Sequence, residues 1–266
     1  MKLLVSTLLI FLCSTICWSQ ADAPPAAITI SGGALFGTMR MNDAQAGFYN
    51  RTRQGLVGGS FSADAAFGIP HLGKWGVNYA GELGYDAGNA RIVTNSVDTT
   101  RREKVSAQLH NLTVGYEPTA RFRLGAGYFY ATEKRQWQTP SDNHWDNTFT
   151  GWIIGGSGFV SPNNRLTFDY RLFGAPWARR KEVSDLNSVT TVRGVPVQNR
   201  ILKVSHYRSP TLDIGGGGTY WFKPGGHFGV RGGLNYLRSW GSVPQVSGRE
   251  VTFSRLTGTA QIVYEF

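Results

Sequence analysis

Arg255-Leu-Thr-Gly-Thr-Ala-Gln-Ile-Val-Tyr-Glu-Phe266 alternates in character from one residue to the next. Leu256, Gly258, Ala260, Ile262, Tyr264 and Phe266 fall on one face. Arg255, Thr257, Thr259, Gln261 and Glu265 fall on the other, with Val263 the single apolar residue among them. Side chains of a strand point alternately to its two sides, so a period of two describes an extended segment with one apolar and one polar surface.

The pattern recurs upstream. Val77, Tyr79, Gly81, Leu83 and Tyr85 interleave with Asn78, Ala80, Glu82 and Gly84, and the stretches Phe122–Tyr130, Leu166–Leu172, Leu212–Phe222 and Phe228–Tyr236 repeat it. One segment slips. Its apolar residues are odd at Val105, Ala107 and Leu109 but even at Leu112, Val114 and Tyr116, which predicts a β-bulge near His110. Turn residues separate the runs in two alternating lengths, short at 70–75, 117–120, 161–164 and 223–226, and long at about 41–53, 86–103, 138–148, 174–204 and 240–249. Short turns on one side and long loops on the other are the habit of strands that cross a membrane. The connections join ten strands, expected at 27–40, 54–69, 76–86, 104–116, 121–137, 149–160, 165–173, 205–222, 227–239 and 250–266. No stretch beyond residue 21 reaches the ~20 apolar residues of a spanning helix, and in lipid only a closed barrel otherwise satisfies the backbone. The expected fold is all-β: one antiparallel up-and-down transmembrane β-barrel of about ten strands over residues 22–266, with eight or twelve strands as alternatives.

Residues 1–21 read as a signal peptide: Lys2, an apolar stretch from Leu3 to Cys17, then Ser19 and Ala21 as a small-x-small cleavage site. Its removal would take Cys13 and Cys17, leaving no disulfide, thiolate nucleophile or cysteine metal site. The 34 glycines, 13% aromatic and 17% charged residues argue against an ordinary soluble domain. The net charge of +10 falls by one with Lys2. On a secreted chain that charge points to an anionic lipid surface rather than to nucleic acid.

The signal, the tail and hairpins such as Val114-Gly-Tyr-Glu-Pro-Thr-Ala-Arg-Phe-Arg-Leu-Gly-Ala-Gly-Tyr128 resemble those of the bacterial outer-membrane β-barrel proteins, in particular small porin-like barrels. The resemblance implies residence in the outer membrane of a Gram-negative-type cell. It also implies that Tyr264 and Phe266 form the assembly signal read by the barrel-assembly machinery. It is specific for architecture and silent on activity.

Charges of both signs fall on the polar faces: Asp64, Glu82, Arg123, Asp169, Arg171, Asp213, Arg231, Arg255 and Glu265. Facing lipid they would be costly, so they are expected to form a lumenal charge network. Such a network is either a selective constriction or a plug of mutually satisfied ion pairs, and ten strands stand close to the filled end of the barrel series. Basic residues gather toward the long loops, and Arg179, Arg180 and Lys181 are expected to touch phosphates of lipopolysaccharide. Trp75, Tyr85, Tyr116, Tyr130, Trp137, Trp177 and Trp240, among other aromatics near strand ends, suit an interfacial girdle. Glycine runs such as Gly215–Gly218 suit strands that must leave room for bulky lumenal neighbours.

His144, with Asp142 and Asp146 nearby, and His206 beside Ser205 match no catalytic motif. No catalytic residue, metal ligand or cofactor is assigned. The expected role is structural, or that of a narrow pore for small solutes. The alternative is an outward-facing enzyme (protease or lipid-modifying) or an adhesin built on the long loops. Arginine placed at Leu124 or Leu234 should disturb folding more than arginine at Thr257 or Gln261.

Overall fold

The computed structural model describes residues 27–119, 121–137, 143–192, 195–243 and 246–266. The proposed signal peptide at 1–21 lies outside the described residues, as do Ser141, Asp142 and Arg193.

Among the described residues fourteen strands run in chain order: β1 Ala27–Gln45, β2 Phe48–Ile69, β3 Gly73–Asp86, β4 Ala90–Thr94, β5 Val97–Arg101, β6 Glu103–Thr119, β7 Phe122–Trp137, β8 Asn143–Asn163, β9 Leu166–Ala175, β10 Arg179–Val192, β11 Val195–Arg208, β12 Thr211–Trp221, β13 Phe228–Ser242 and β14 Glu250–Glu265. Ten of them make the wall, in the order β1-β14-β13-β12-β9-β8-β7-β6-β3-β2, and β1 pairs with both β2 and β14 to close it. Every neighbour is antiparallel, as an up-and-down barrel requires. Phe266 fastens the seam by donating its N–H to the Ile28 carbonyl at 2.9 Å. Its ring meets Tyr264 edge-on with centroids 4.7 Å apart.

The four remaining strands are hairpins where the sequence suggested loops. In β4–β5 the turn residues Asn95 and Ser96 take φ of 43° and 71°. These left-handed values suit the tight reversal of a two-residue hairpin. Asn95 also accepts the Tyr49 N–H at 2.8 Å, tying the hairpin to β2. The expected loop 174–204 is mostly the β10–β11 hairpin, whose β10 pairs with β8 from Arg179↔Thr150 to Asp185↔His144. The expected loop 41–53 is continuous strand around a two-residue turn at Ala46 and Gly47, where Gly47 has φ 74°. The strand expected at 205–222 is two strands. Pro210, which has no N–H to give a ladder, stands between them.

Strands such as the 22-residue β2 are about twice the 9–11 residues that cross a bilayer, so the wall continues well beyond the membrane at the long-loop end.

The bulge expected near His110 is absent: β6 pairs without interruption from Glu103 to Tyr116 on β7, and its register shifts only between Tyr116 and Thr119. Val105, Ala107 and Leu109 point into the lumen with Asn111 and Thr113, while His110 faces outward with Tyr79, whose hydroxyl lies 2.8 Å from its Nδ1.

Leu234 and Leu124 project outward, so Leu234→Arg is expected to lower folding stability by about 2–4 kcal/mol near the bilayer midplane. Gln261 borders a cavity, and Gln261→Arg should cost far less. Thr257, grouped with Gln261 in the sequence reading, is wholly buried against Glu82. Thr257→Arg should therefore overpack the lumen, and urea titration of refolding in lipid should rank Gln261→Arg above both Thr257→Arg and Leu234→Arg.

Candidate functional site

The lumen is built in layers. At the short-turn end a cavity of about 550 Å³ is lined by Ser60, Asp64, Arg123, Asp169, Arg231 and Gln261, among others. Several of its charges are paired between strands. Arg123 on β7 donates to Asp64 on β2 at 2.6 Å and to Glu117 on β6 at 2.6 Å, and Arg231 on β13 reaches Asp169 on β9 at 2.6 Å. Glycine makes room for these side chains, for a Cβ at Gly76 would lie 2.1 Å from the Arg123 guanidinium. A Cβ at Gly217 would lie 2.9 Å from that of Arg231.

Above the cavity the lumen fills. Arg255 meets Glu82 at 2.8 Å and Arg171 meets Asp213 at 3.6 Å. Asn111 on β6 donates to Asp213 on β12 at 2.7 Å, and Thr257 donates to Glu82 at 3.2 Å. All nine expected lumenal charges face inward: seven border the cavity, and Asp213 and Arg255 lie buried over it.

The next layer is apolar. Met39, Leu56, Val105, Leu109, Phe129, Phe149, Ile153, Phe173, Leu237 and Phe253 form one buried cluster with several alanines. Phe149 on β8 and Phe253 on β14 come from opposite sides of the wall, and their ring centroids are 5.0 Å apart. Rings in contact across a barrel leave no water-filled path between them.

A second charged layer caps the plug. Arg249 grips Asp43 at 2.6 Å and Glu182 at 3.0 Å. Glu182 also accepts the Tyr207 hydroxyl at 2.9 Å, and burial raises the pKa of that phenol, keeping it a donor. Arg180 donates to Asn147 at 2.7 Å and lies over the rings of Phe149 and Tyr207 at 5.0 and 5.6 Å. Asn147 passes the chain to Glu133 at 3.2 Å. Glu133 bonds Arg135, which lies 3.7 Å from Glu103, and Glu103 bonds Arg101 at 2.5 Å. Four carboxylates meet four guanidiniums, so the layer is close to neutral.

Arg180 belongs to this layer and is 1% exposed, which corrects the expectation that it touches lipid. Its neighbours Arg179 and Lys181 face outward. The sequence reading missed the upper layer because Asp43, Glu182 and Arg249 were placed in loops. Extending the alternation of β14 upward through Phe253 and Val251 is the signal that could have found it.

His144 and Asp146 lie on the outer side of β8, and Ser205 and His206 point to opposite sides of β11. Neither pair forms a nucleophile–base contact of the kind an active site needs. Among the described residues no group of three His, Cys, Asp or Glu is placed to hold a metal ion.

No family model and no curated protein sequence matches the chain. Among solved structures it is similar to the outer membrane protease OmpT from Escherichia coli, with TM-score 0.58, 13% identity and coverage of 93% of this chain and 99% of that one. It is also matched to the P. putida toluene transporter TodX, with TM-score 0.36, 8% identity and coverage of 91% of each chain. A third match is Ail, the attachment invasion locus protein of Yersinia pestis, with TM-score 0.24, 11% identity and coverage of 87% and 97%. At such identities the likeness to OmpT concerns the fold.

Proposed function

We propose that this chain, which has the fold of the bacterial outer-membrane β-barrel proteins, serves as a non-conducting structural barrel whose lumen is sealed between a periplasmic cavity and the outer surface. The observation that carries the reading is the Phe149–Phe253 contact across the lumen within a continuous apolar layer. An apolar constriction stops ions and polar solutes because neither water nor its solutes wet it. Above the layer a near-neutral set of ion pairs occupies the interior that a pore would leave open to solvent, and below it the Arg255–Glu82 and Arg171–Asp213 pairs lie between the layer and the cavity. Proteoliposomes carrying the refolded chain should swell in small sugars no faster than protein-free liposomes. Rapid swelling would assign the narrow-pore role instead.

Biogenesis gives a further expectation. The C-terminal pair Tyr264 and Phe266 resembles an assembly signal, and Phe266 also holds the β1–β14 seam. Deleting Phe266 should leave the protein accumulating in the periplasm, and surface-exposed yield equal to the intact chain would remove that role.

A further inference from the structure

Four arginines stand in one row on the outside of the barrel. Cross-strand pairing sets Arg91 of β4 opposite Arg53 of β2, and Arg53 opposite Arg40 of β1. Arg40 is opposite Ser254 of β14, and Ser254 is opposite Arg238 of β13. All four arginines are exposed. Their inward-facing neighbours, including Met39, Met41, Thr52, Gln54, Leu237 and Ser239, are buried, which fixes the arginines on the outer surface.

Adjacent strands lie about 4.8 Å apart, so the row spans roughly 19 Å. Like charges directly opposite one another destabilise a sheet. Arg91 has a partner in Asp98. Among the described residues Arg40, Arg53 and Arg238 have no ion pair, and Asp43, adjacent in sequence to this region, points inward to Arg249. The next outward carboxylate on these strands, Glu250, is four residues above Ser254 on β14, about 13 Å along the strand.

The height of the row is as informative as its charge. From Tyr264 to Ser254 is ten residues. At a rise of about 3.3 Å and a tilt of about 40° these cover ~25 Å, the height of a barrel's apolar band. Phe36, Val57, Leu256 and Leu234 lie exposed below the row. Phe36 packs over Gly258, where a Cβ would lie 2.5 Å from its ring. The row therefore stands at the upper edge of an apolar wall, the height at which lipid headgroups meet a barrel of this span.

We propose that the row Arg53–Arg40–Ser254–Arg238 is a phosphate-binding site for an outer-leaflet glycolipid bearing two phosphates, with its acyl chains against the wall beneath. Guanidinium groups bind phosphate oxygens in bidentate fashion. The adjacent Arg53 and Arg40 offer one anion position. Arg238, two strands from Arg40 with the Ser254 hydroxyl between, offers a second. A bound dianion turns the repulsion within the row into attraction.

The test compares the wild-type chain with the Arg40→Ser/Arg53→Ser variant, both refolded in a zwitterionic detergent. Each is titrated with bisphosphorylated lipid A, with its dephosphorylated form and with inorganic phosphate, and thermal unfolding is followed. Lipid A should raise the wild-type melting temperature saturably, and the variant should need at least tenfold more lipid for the same shift. Without lipid the variant should melt no lower than wild type, since a repulsion has been removed. Equal lipid A response in the two proteins, or equal stabilisation by the dephosphorylated lipid, would overturn the site. A full effect from inorganic phosphate at the same concentration would overturn the lipid as its occupant. Should the double variant fail to fold, Arg238→Ser alone is read in the same way.

Discussion

Replacing Phe129, Phe149 and Phe253 together with serine is expected to turn a silent barrel into one that passes ions in discrete, steady steps. These rings fill the apolar layer, and each is at most 3% exposed. Truncating a packed phenylalanine costs about 3–5 kcal/mol where it leaves a cavity, so the variant should also unfold more readily. The ten-strand ladder does not depend on these side chains, and heat-modifiable gel mobility should show the barrel intact. Once hydroxyls line the gap it can hold water, and the charged layers on either side already can. A variant that keeps its mobility and conducts nothing would show that the ion-paired layers seal the lumen without the rings.

Arg180→Ala is expected to destabilise the barrel by about 3–5 kcal/mol, the cost of breaking a buried charge pair from one side. It would leave Asn147 without its donor and Glu182 with less compensation. Lys181→Ser, one residue along, should change stability by less than about 0.5 kcal/mol because it faces outward. The contrast can be read from urea midpoints of refolding in lipid. Similar midpoints for the two variants would mean that the upper layer contributes little to stability. Arg180→Met combined with Glu182→Gln, which removes charge from both sides, should recover part of the loss.

The apolar–polar alternation was a good guide to the fold wherever lipid lay outside and polar groups lay inside. The tail shows this, since Leu256 to Phe266 point out and Arg255 to Glu265 point in, as their chemistry suggests. The same rule turned nine charges of the lower lumen inward but passed over Glu117, which pairs with Arg123 from a position read as a turn. It failed at the plug, where the inside is apolar as well. Val105, Ala107 and Leu109 looked lipid-facing because they are apolar, and the apparent slip against Leu112 and Val114 was read as a bulge. In the folded chain the register is unbroken from Glu103 to Tyr116 and the lumen changes character instead.

Length misled the reading in a second way. Strands twice as long as a bilayer needs carry polar residues on both faces above the membrane, so Asp43, Arg51 and Glu182 resembled loop residues. The turn at Asn95-Ser96 was the local clue to one extramembrane hairpin. The pairing of β10 with β8 joins residues 29 to 41 positions apart and had no local signal. Arg179, Arg180 and Lys181 were taken as one basic patch, although strand periodicity must send the middle one to the opposite face.

The sealed lumen is tested most directly by planar-bilayer recording of the refolded wild-type chain, with the triple serine variant as the positive control. The account predicts that wild type leaves the bilayer current at baseline while the variant opens steady steps. Steady conductance steps from the wild-type protein, equal in size to those of the variant, would contradict it.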